Sequence, residues 1–374
     1  MTLLSLIVGA AIALSAPGPE VLSPAPQPWQ PIRVISSSYD IDFPNGVVFS
    51  LEAEADAVIT EVTLFYRVGG RRAEVYGYAD FVASARVFAH FGIETGGADF
   101  LPSGVEIEYH YVIRDVDGNS LTSDTYSLEY KDPAYRWQSA RHGDLVILWH
   151  DRRREDVIRM ATDVGERLVE VKALLGLERT VPMKAVILND RREAARSFPT
   201  ISQAATRGHL YGGFAFGDLD VFVLAGLDRN GIVHEMTHLL IDEALDSPRA
   251  RIPSWLNEGL AMYFESAAGR RAATVSAAVQ DGDLLPLSRM GSVPGVPEDV
   301  RLFYAQSWSF VDRMMRVYGT ERMATLLSAI NEGVRIEEAV PQAYGVTLQE
   351  LERDWKAEVT EAPARVAVAD PGTV

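Results

Sequence analysis

The sequence predicts two folded parts in series, an all-β sandwich followed by an α+β domain. Three observations lead there. The chain has 374 residues, long for one typical domain and short for three. Across residues 105–113, Val105, Ile107, Tyr109, Tyr111 and Ile113 alternate with Glu106, Glu108 and His110, the period of a half-buried strand. After Lys131-Asp132-Pro133 short apolar strands give way to long stretches of helical spacing, and strands followed by a helical block indicate an α+β arrangement.

Residues 3–16 are almost wholly apolar and run into Pro17, Gly18 and Pro19. The run is short for a membrane span and suits the core of a signal peptide, with Ala11 and Ala13, or Ala13 and Ser15, marking cleavage sites. No Lys or Arg precedes it, so the usual positive segment is missing; a misassigned start or an uncleaved anchor explains that. Residues 1–16 are thus expected to be a signal peptide or anchor, giving a protein exported to the cell envelope or beyond, with a membrane tether as the alternative to cleavage. Residues 17–31 form a Pro-rich extended linker.

Residues 32–133 form the predicted sandwich. Gly69-Gly70 separates residues 61–68 from 71–78, and Asp117-Gly118 makes a tight turn into residues 121–130, both hairpin signals. About seven short strands joined by turns suggest an immunoglobulin or fibronectin-like sandwich, without a Cys pair. The second domain spans residues 140–360. Its expected strands are residues 145–149, 181–188 and 221–225. Its expected helices are residues 156–175, 230–245, 255–266, 300–318, 321–330 and 348–359. Residues 361–374 carry Pro, Ala and Gly without periodicity and form a loose tail.

Composition narrows the chemistry. Hydrophobic residues make up 47% and charged residues 23%, an ordinary globular balance. There is no Cys, which excludes disulfides and thiolate metal sites. Any metal must be held by His, Asp or Glu. The formal charge of −17 repels phosphate backbones, so nucleic acid is not an expected partner; solubility accounts for it.

The informative segment is His234-Glu235-Met236-Thr237-His238. Two histidines four apart on a helix share one face and can bind one Zn2+. Glu235 lies about 100° around the helix from His234, so its carboxylate stands beside the metal. Asp228 or Asn230 can cap the helix start. A second helix follows, with Ser254 as its expected N-cap and the run Trp255-Leu256-Asn257-Glu258-Gly259-Leu260-Ala261. Helix, turn and antiparallel helix can bring Glu258 back to the metal. Three protein ligands leave a fourth position for water, the arrangement of a catalytic zinc.

At these residues the sequence resembles the gluzincin metallopeptidases, and the Trp-Leu-Asn-Glu-Gly-Leu-Ala wording is similar to the bacterial peptidase-MA-like group. The resemblance covers about residues 144–318. It implies a zincin fold for the second domain and one Zn2+ per chain held by His234, His238 and Glu258. It also implies Glu235 as general base, Asn257 orienting His234, and a peptide or protein as substrate. Where the thermolysin branch has an acidic residue four after the third ligand, this chain has Met262; Asp242 is the expected substitute. Glu235 then shuttles a proton from the attacking water to the leaving amine.

The oxyanion needs one further donor. Tyr304 is the candidate on a later helix, with packing among Phe303, Trp308 and Phe310 as the plain alternative; His209 and Tyr211 are others. In gluzincins the edge strand before the zinc helix pairs with extended substrate, and residues 221–225 are expected to be that strand. His90, His110, His142 and His150 read as surface or strand residues. No Gly-Ala-Met-Glu-Asn signature for a substrate amine occurs, which favours an endopeptidase. Two other readings stay open: an envelope binding protein with a non-catalytic zinc domain, and a zinc hydrolase acting on an epoxide or ester.

Overall fold

The computed structural model describes residues 31–71, 73–179, 181–199, 212–266 and 268–361. The expected leader, nearly all of the linker and the tail beyond residue 361 lie outside the described residues. No helix among the described residues is long and apolar enough to cross a membrane.

The N-terminal region is all-β. Its strands are β1 (Ile32–Asp42), β2 (Gly46–Val68), β3 (Val75–Tyr78), β4 (Ser84–Glu94), β5 (Val105–Asp115), β6 (Ser120–Thr122) and β7 (Tyr126–Tyr130). Every pairing among them is antiparallel. The sequence suggested short strands, but β2 runs for 23 residues. Its first half pairs with β1 and β4, and its second half with β3 and β5. One hydrogen-bonded sheet therefore links all seven strands.

The sheet doubles over itself, since Phe49 of β2 packs on Tyr109 of β5 with ring centroids 4.7 Å apart. The bend has a local cause. Ile59 sits opposite Asp115 while Glu61 sits opposite Arg114, leaving Thr60 as an extra residue. Such a bulge reverses which face the following side chains occupy. Val47, Phe49, Leu51 and Ala53 are buried before it, and Val62 and Leu64 after it. The two layers share a strand.

The second region is built on a five-stranded sheet in the order β11-β12-β10-β9-β8. These are β8 (Gln138–His142), β9 (Leu145–Trp149), β10 (Met183–Leu188), β11 (Gly213–Phe216) and β12 (Val221–Ala225). The central three are parallel, and the edges β8 and β11 are antiparallel to their neighbours. Neither edge strand was anticipated, because both are short and only partly apolar.

Its helices are α1 (Arg154–Leu175), α2 (Arg191–Ala194), α3 (Arg229–Ala244), α4 (Ser254–Tyr263), α5 (Ala268–Asp281), α6 (Pro297–Tyr318), α7 (Thr320–Asn331), α8 (Ile336–Tyr344) and α9 (Leu348–Glu361). α3 packs on α1, on the sheet and on α4, and α4 packs against α6.

Both faces of the three central strands are buried, which explains their uninterrupted apolar sequences. Ile147, Trp149, Ala185, Ile187, Phe222 and Leu224 face the helical core. The alternate residues Leu148, Val186, Leu188, Val221 and Val223 belong to the core of the β region. Close approach needs Gly104: it has φ +95°, and a Cβ there would stand 2.5 Å from Val186 Cγ2. Polar bonds also cross the junction. Lys184 Nζ reaches Glu129 at 2.7 Å and Glu106 at 3.0 Å. Arg196 donates to Asp132 and to the Phe43 carbonyl, each at 2.7 Å.

Candidate metal centre

Helix α3 begins where Asp228 accepts a hydrogen bond from the Gly231 N–H at 2.7 Å, so Asp228 is the cap. Asn230 instead accepts from the Ser266 N–H at 3.0 Å. Ile232, Val233, Met236, Leu239 and Leu240 bury the helix, which holds His234 and His238 one turn apart on its remaining face. Helix α4 starts one residue earlier than expected: Pro253 occupies the cap position and Ser254 is the first helical residue, with no side-chain cap bond.

α4 returns Glu258 to the two histidines. The Nε2 atoms of His234 and His238 are 3.1 Å apart. Glu258 Oε2 lies 3.3 Å from the first and 3.5 Å from the second. Among the described residues these three form the one group of metal-ligating side chains with ligand atoms within 4.8 Å of one another. Glu258 Oε2 is buried and accepts no hydrogen bond. A buried carboxylate oxygen facing two imidazole nitrogens, with no donor of its own, fits a cation.

The electrostatics agree. Burial opposes charge on His234, yet Glu258 and Glu265 outweigh it and hold the imidazole well above its ordinary value. Burial likewise opposes charge on His238, and Glu258 raises it. Burial pushes the Glu258 carboxyl up, but the two imidazoles prevail and hold it far below the usual carboxylate range.

The outer nitrogens are fixed by partners that differ from those expected. Asn257 Oδ1 lies 3.0 Å from Nδ1 of His238, not of His234. His234 Nδ1 meets Glu265 Oε1 at 2.8 Å, and the other Glu265 oxygen pairs with Arg271. Asp242 does not fill this role. It lies against Gly217, where a Cβ would stand 2.1 Å from its Oδ2. Glu265 was missed because the sequence reading placed it inside a helix over residues 255–266, whereas α4 ends at Tyr263 and Glu265 lies two residues beyond it.

Glu235 is 7% exposed. Burial raises its carboxyl above the ordinary value, against the pull of the two imidazoles. It rests on the backbone of Gly213, where a Cβ would stand 2.7 Å from Oε1 of Glu235. Sequence reasoning gave Gly213 no such role, because its neighbour in space is 22 positions away.

His234 and Glu235 open onto a cleft of about 500 Å3 also lined by Gly213, Asp228 and Tyr304. Tyr304 on α6 is half-buried beside this cleft while its neighbour Phe303 is fully buried. His209 and Tyr211 lie outside the described residues. The edge strand is β11 and not residues 221–225, since β11 covers the outer side of β12. His90 is exposed on β4, while His110 on β5 and His142 on β8 are half-buried. His150 departs from expectation: it is fully buried, stacked on Tyr135 at 4.0 Å.

Among curated proteins no sequence match was found. The chain is similar to the M1 zinc metallopeptidase of Deinococcus radiodurans at 11% identity over 92% of this chain and 97% of that one, with a TM-score of 0.36. A variant of that enzyme bound to the substrate Tyr-Ser-Ala is likewise 11% identical over 84% and 90%, with a TM-score of 0.40. A carbohydrate-binding module of family 56, a β-1,3-glucan binding domain, is 18% identical over 25% of this chain and 96% of its own, with a TM-score of 0.18. Likenesses at this level carry neither fold nor activity across. Residues 164–361, more than half of the chain, match the model of the Peptidase MA superfamily, so the chain belongs to that superfamily, as its gluzincin pattern implied.

Proposed function

We propose that the protein is a zinc metallopeptidase that hydrolyses peptide bonds within chains, with Zn2+ held by His234, His238 and Glu258. The observation that carries this reading is the buried, unbonded Oε2 of Glu258 against two imidazole nitrogens, with a second buried carboxylate, Glu235, next to them. Zinc held by three protein ligands supplies Lewis acidity and makes a water nucleophilic near neutral pH.

The chain's own groups do the rest. Glu235 takes a proton from the attacking water and returns it to the leaving nitrogen. Gly213 leaves room for that carboxylate. Glu265 and Asn257 fix the two imidazole rings. The Tyr304 hydroxyl at the cleft is assigned as donor to the developing oxyanion. Backbone groups of β11, at the sheet edge, pair with an extended substrate strand. Export through residues 1–16 completes the proposal, with a peptide or protein outside the cytoplasm as substrate.

The test is metal analysis together with peptide-library cleavage, on wild type and Glu235→Gln. One zinc per chain is expected in both, with cleavage by the wild type alone. Equal cleavage by the two proteins removes Glu235 from the chemistry. Zinc in both with no cleavage by either favours a binding protein.

A further inference from the structure

We propose that the cleft beside His234 and Glu235 selects peptides carrying a carboxylate near the bond to be cut, and that Arg191 and Arg270 hold it. The inference rests on the peptidase reading and gives it a substrate class. Both arginines line the cleft. Arg191 opens α2, which packs on β10 and β12 of the sheet, and Arg270 lies in the first turn of α5 in the helical block. The two residues thus line the cleft from different elements.

The lining carboxylates are already committed. Asp228 caps α3, Glu265 sits between His234 and Arg271, and Glu235 lies against Gly213. None is left among the described lining residues to bind a substrate amine. Arg191 and Arg270 are exposed, and neither guanidinium has an ion-pair partner among the described residues. The cleft therefore offers unused positive charge in a chain whose formal charge is −17.

The placement of Arg270 adds a second argument. Arg270 and Arg271 stand in the first turn of α5, which holds no acidic residue. A helix N-terminus carries partial positive charge and disfavours cations there. Helix stability alone would select the opposite sign. A guanidinium fork matches a carboxylate through two parallel hydrogen bonds.

The carboxylate has two sources, an acidic side chain or the free end of a peptide, and the experiment separates them. Full-length, zinc-loaded Glu235→Gln is titrated with three labelled peptides of one length, followed by fluorescence anisotropy. The first is neutral and blocked at both ends. The second is blocked with Glu residues flanking the centre, and the third is neutral with a free C-terminus. At least one carboxylate peptide is expected to bind about tenfold more tightly than the blocked neutral one, the size two partly screened ion pairs support. That preference should weaken as salt rises and vanish when Arg191→Gln and Arg270→Gln are added, with circular dichroism and zinc content unchanged. Equal binding of all three peptides, or a preference that survives the arginine changes, overturns the proposal. Cleavage of the neutral peptide by wild type would then still support the peptidase. Arginine-dependent binding without hydrolysis of any peptide by wild type would sink the peptidase reading and leave the carboxylate site standing.

Discussion

Nδ1 of His234 and Oε1 of Glu265 lie 2.8 Å apart, and the other Glu265 oxygen is tied to Arg271. The imidazole is therefore aimed by a carboxylate that is itself held in place. Loss of such an orienting group typically lowers metal affinity by about 10–100-fold. Glu265→Gln should weaken zinc binding by that order in a competition assay with a chelator, with the fold intact by circular dichroism. Undiminished affinity would show that His234 needs no such support.

Gly213→Ala places a methyl 2.7 Å from Glu235 Oε1 and 2.5 Å from Leu224 Cδ2. The carboxylate must shift, while the three candidate ligands are untouched. A displacement of about 1 Å can cost on the order of a hundredfold in rate. We expect kcat to fall by that order with zinc content at the wild-type level. A normal kcat would mean that the position of Glu235 is not critical.

Gly104→Ala tests the junction between the two sheets. The position has φ +95°, and its new methyl would meet Val186 Cγ2 at 2.5 Å. Strain and overpacking together should cost about 1–3 kcal/mol, read from urea denaturation. Stability equal to wild type would show that the contact relaxes freely.

Acid should reveal the Lys184 bridge. Burial raises the Glu129 carboxyl, but Lys131 and Lys184 outweigh it and hold the group below its ordinary 4.5. A depressed folded pKa means stability that is fully present above about pH 4.5 and lost as pH falls through the folded value. Lys184→Met should therefore destabilise by about 1–2 kcal/mol near neutrality, with the gap to wild type closing below pH 4.5. A gap independent of pH would assign the loss to packing instead.

The His-His pair and Glu258 were legible because helical periodicity fixes where their side chains point, and each sits on a helix with clear apolar faces. The partners of those residues were less so. Asn257 was read as holding His234, yet it bonds His238: its place before Glu258 gives an axial position but not which ring it reaches. Glu265 and Arg271 straddle the end of one helix and the start of the next, where no period carries through. Gly213 was silent because its function is the absence of a side chain. In the β region the alternation over residues 105–113 predicted β5 correctly. The extra residue at Thr60 reverses the pattern within β2, so one long strand read as shorter ones.

The central strands β9, β10 and β12 are covered on both faces: Leu148, Val186, Leu188, Val221 and Val223 complete the N-terminal core. A fragment trimmed to the C-terminal half would present this aliphatic row to water, a surface prone to self-association. The β region is thus a lid on the sheet's rear face, not a detachable accessory. Heating should melt the two halves in a single cooperative step, so changes along the rear of β10 and β12 should also lower the stability of α3, the helix of His234 and His238 that packs on those strands.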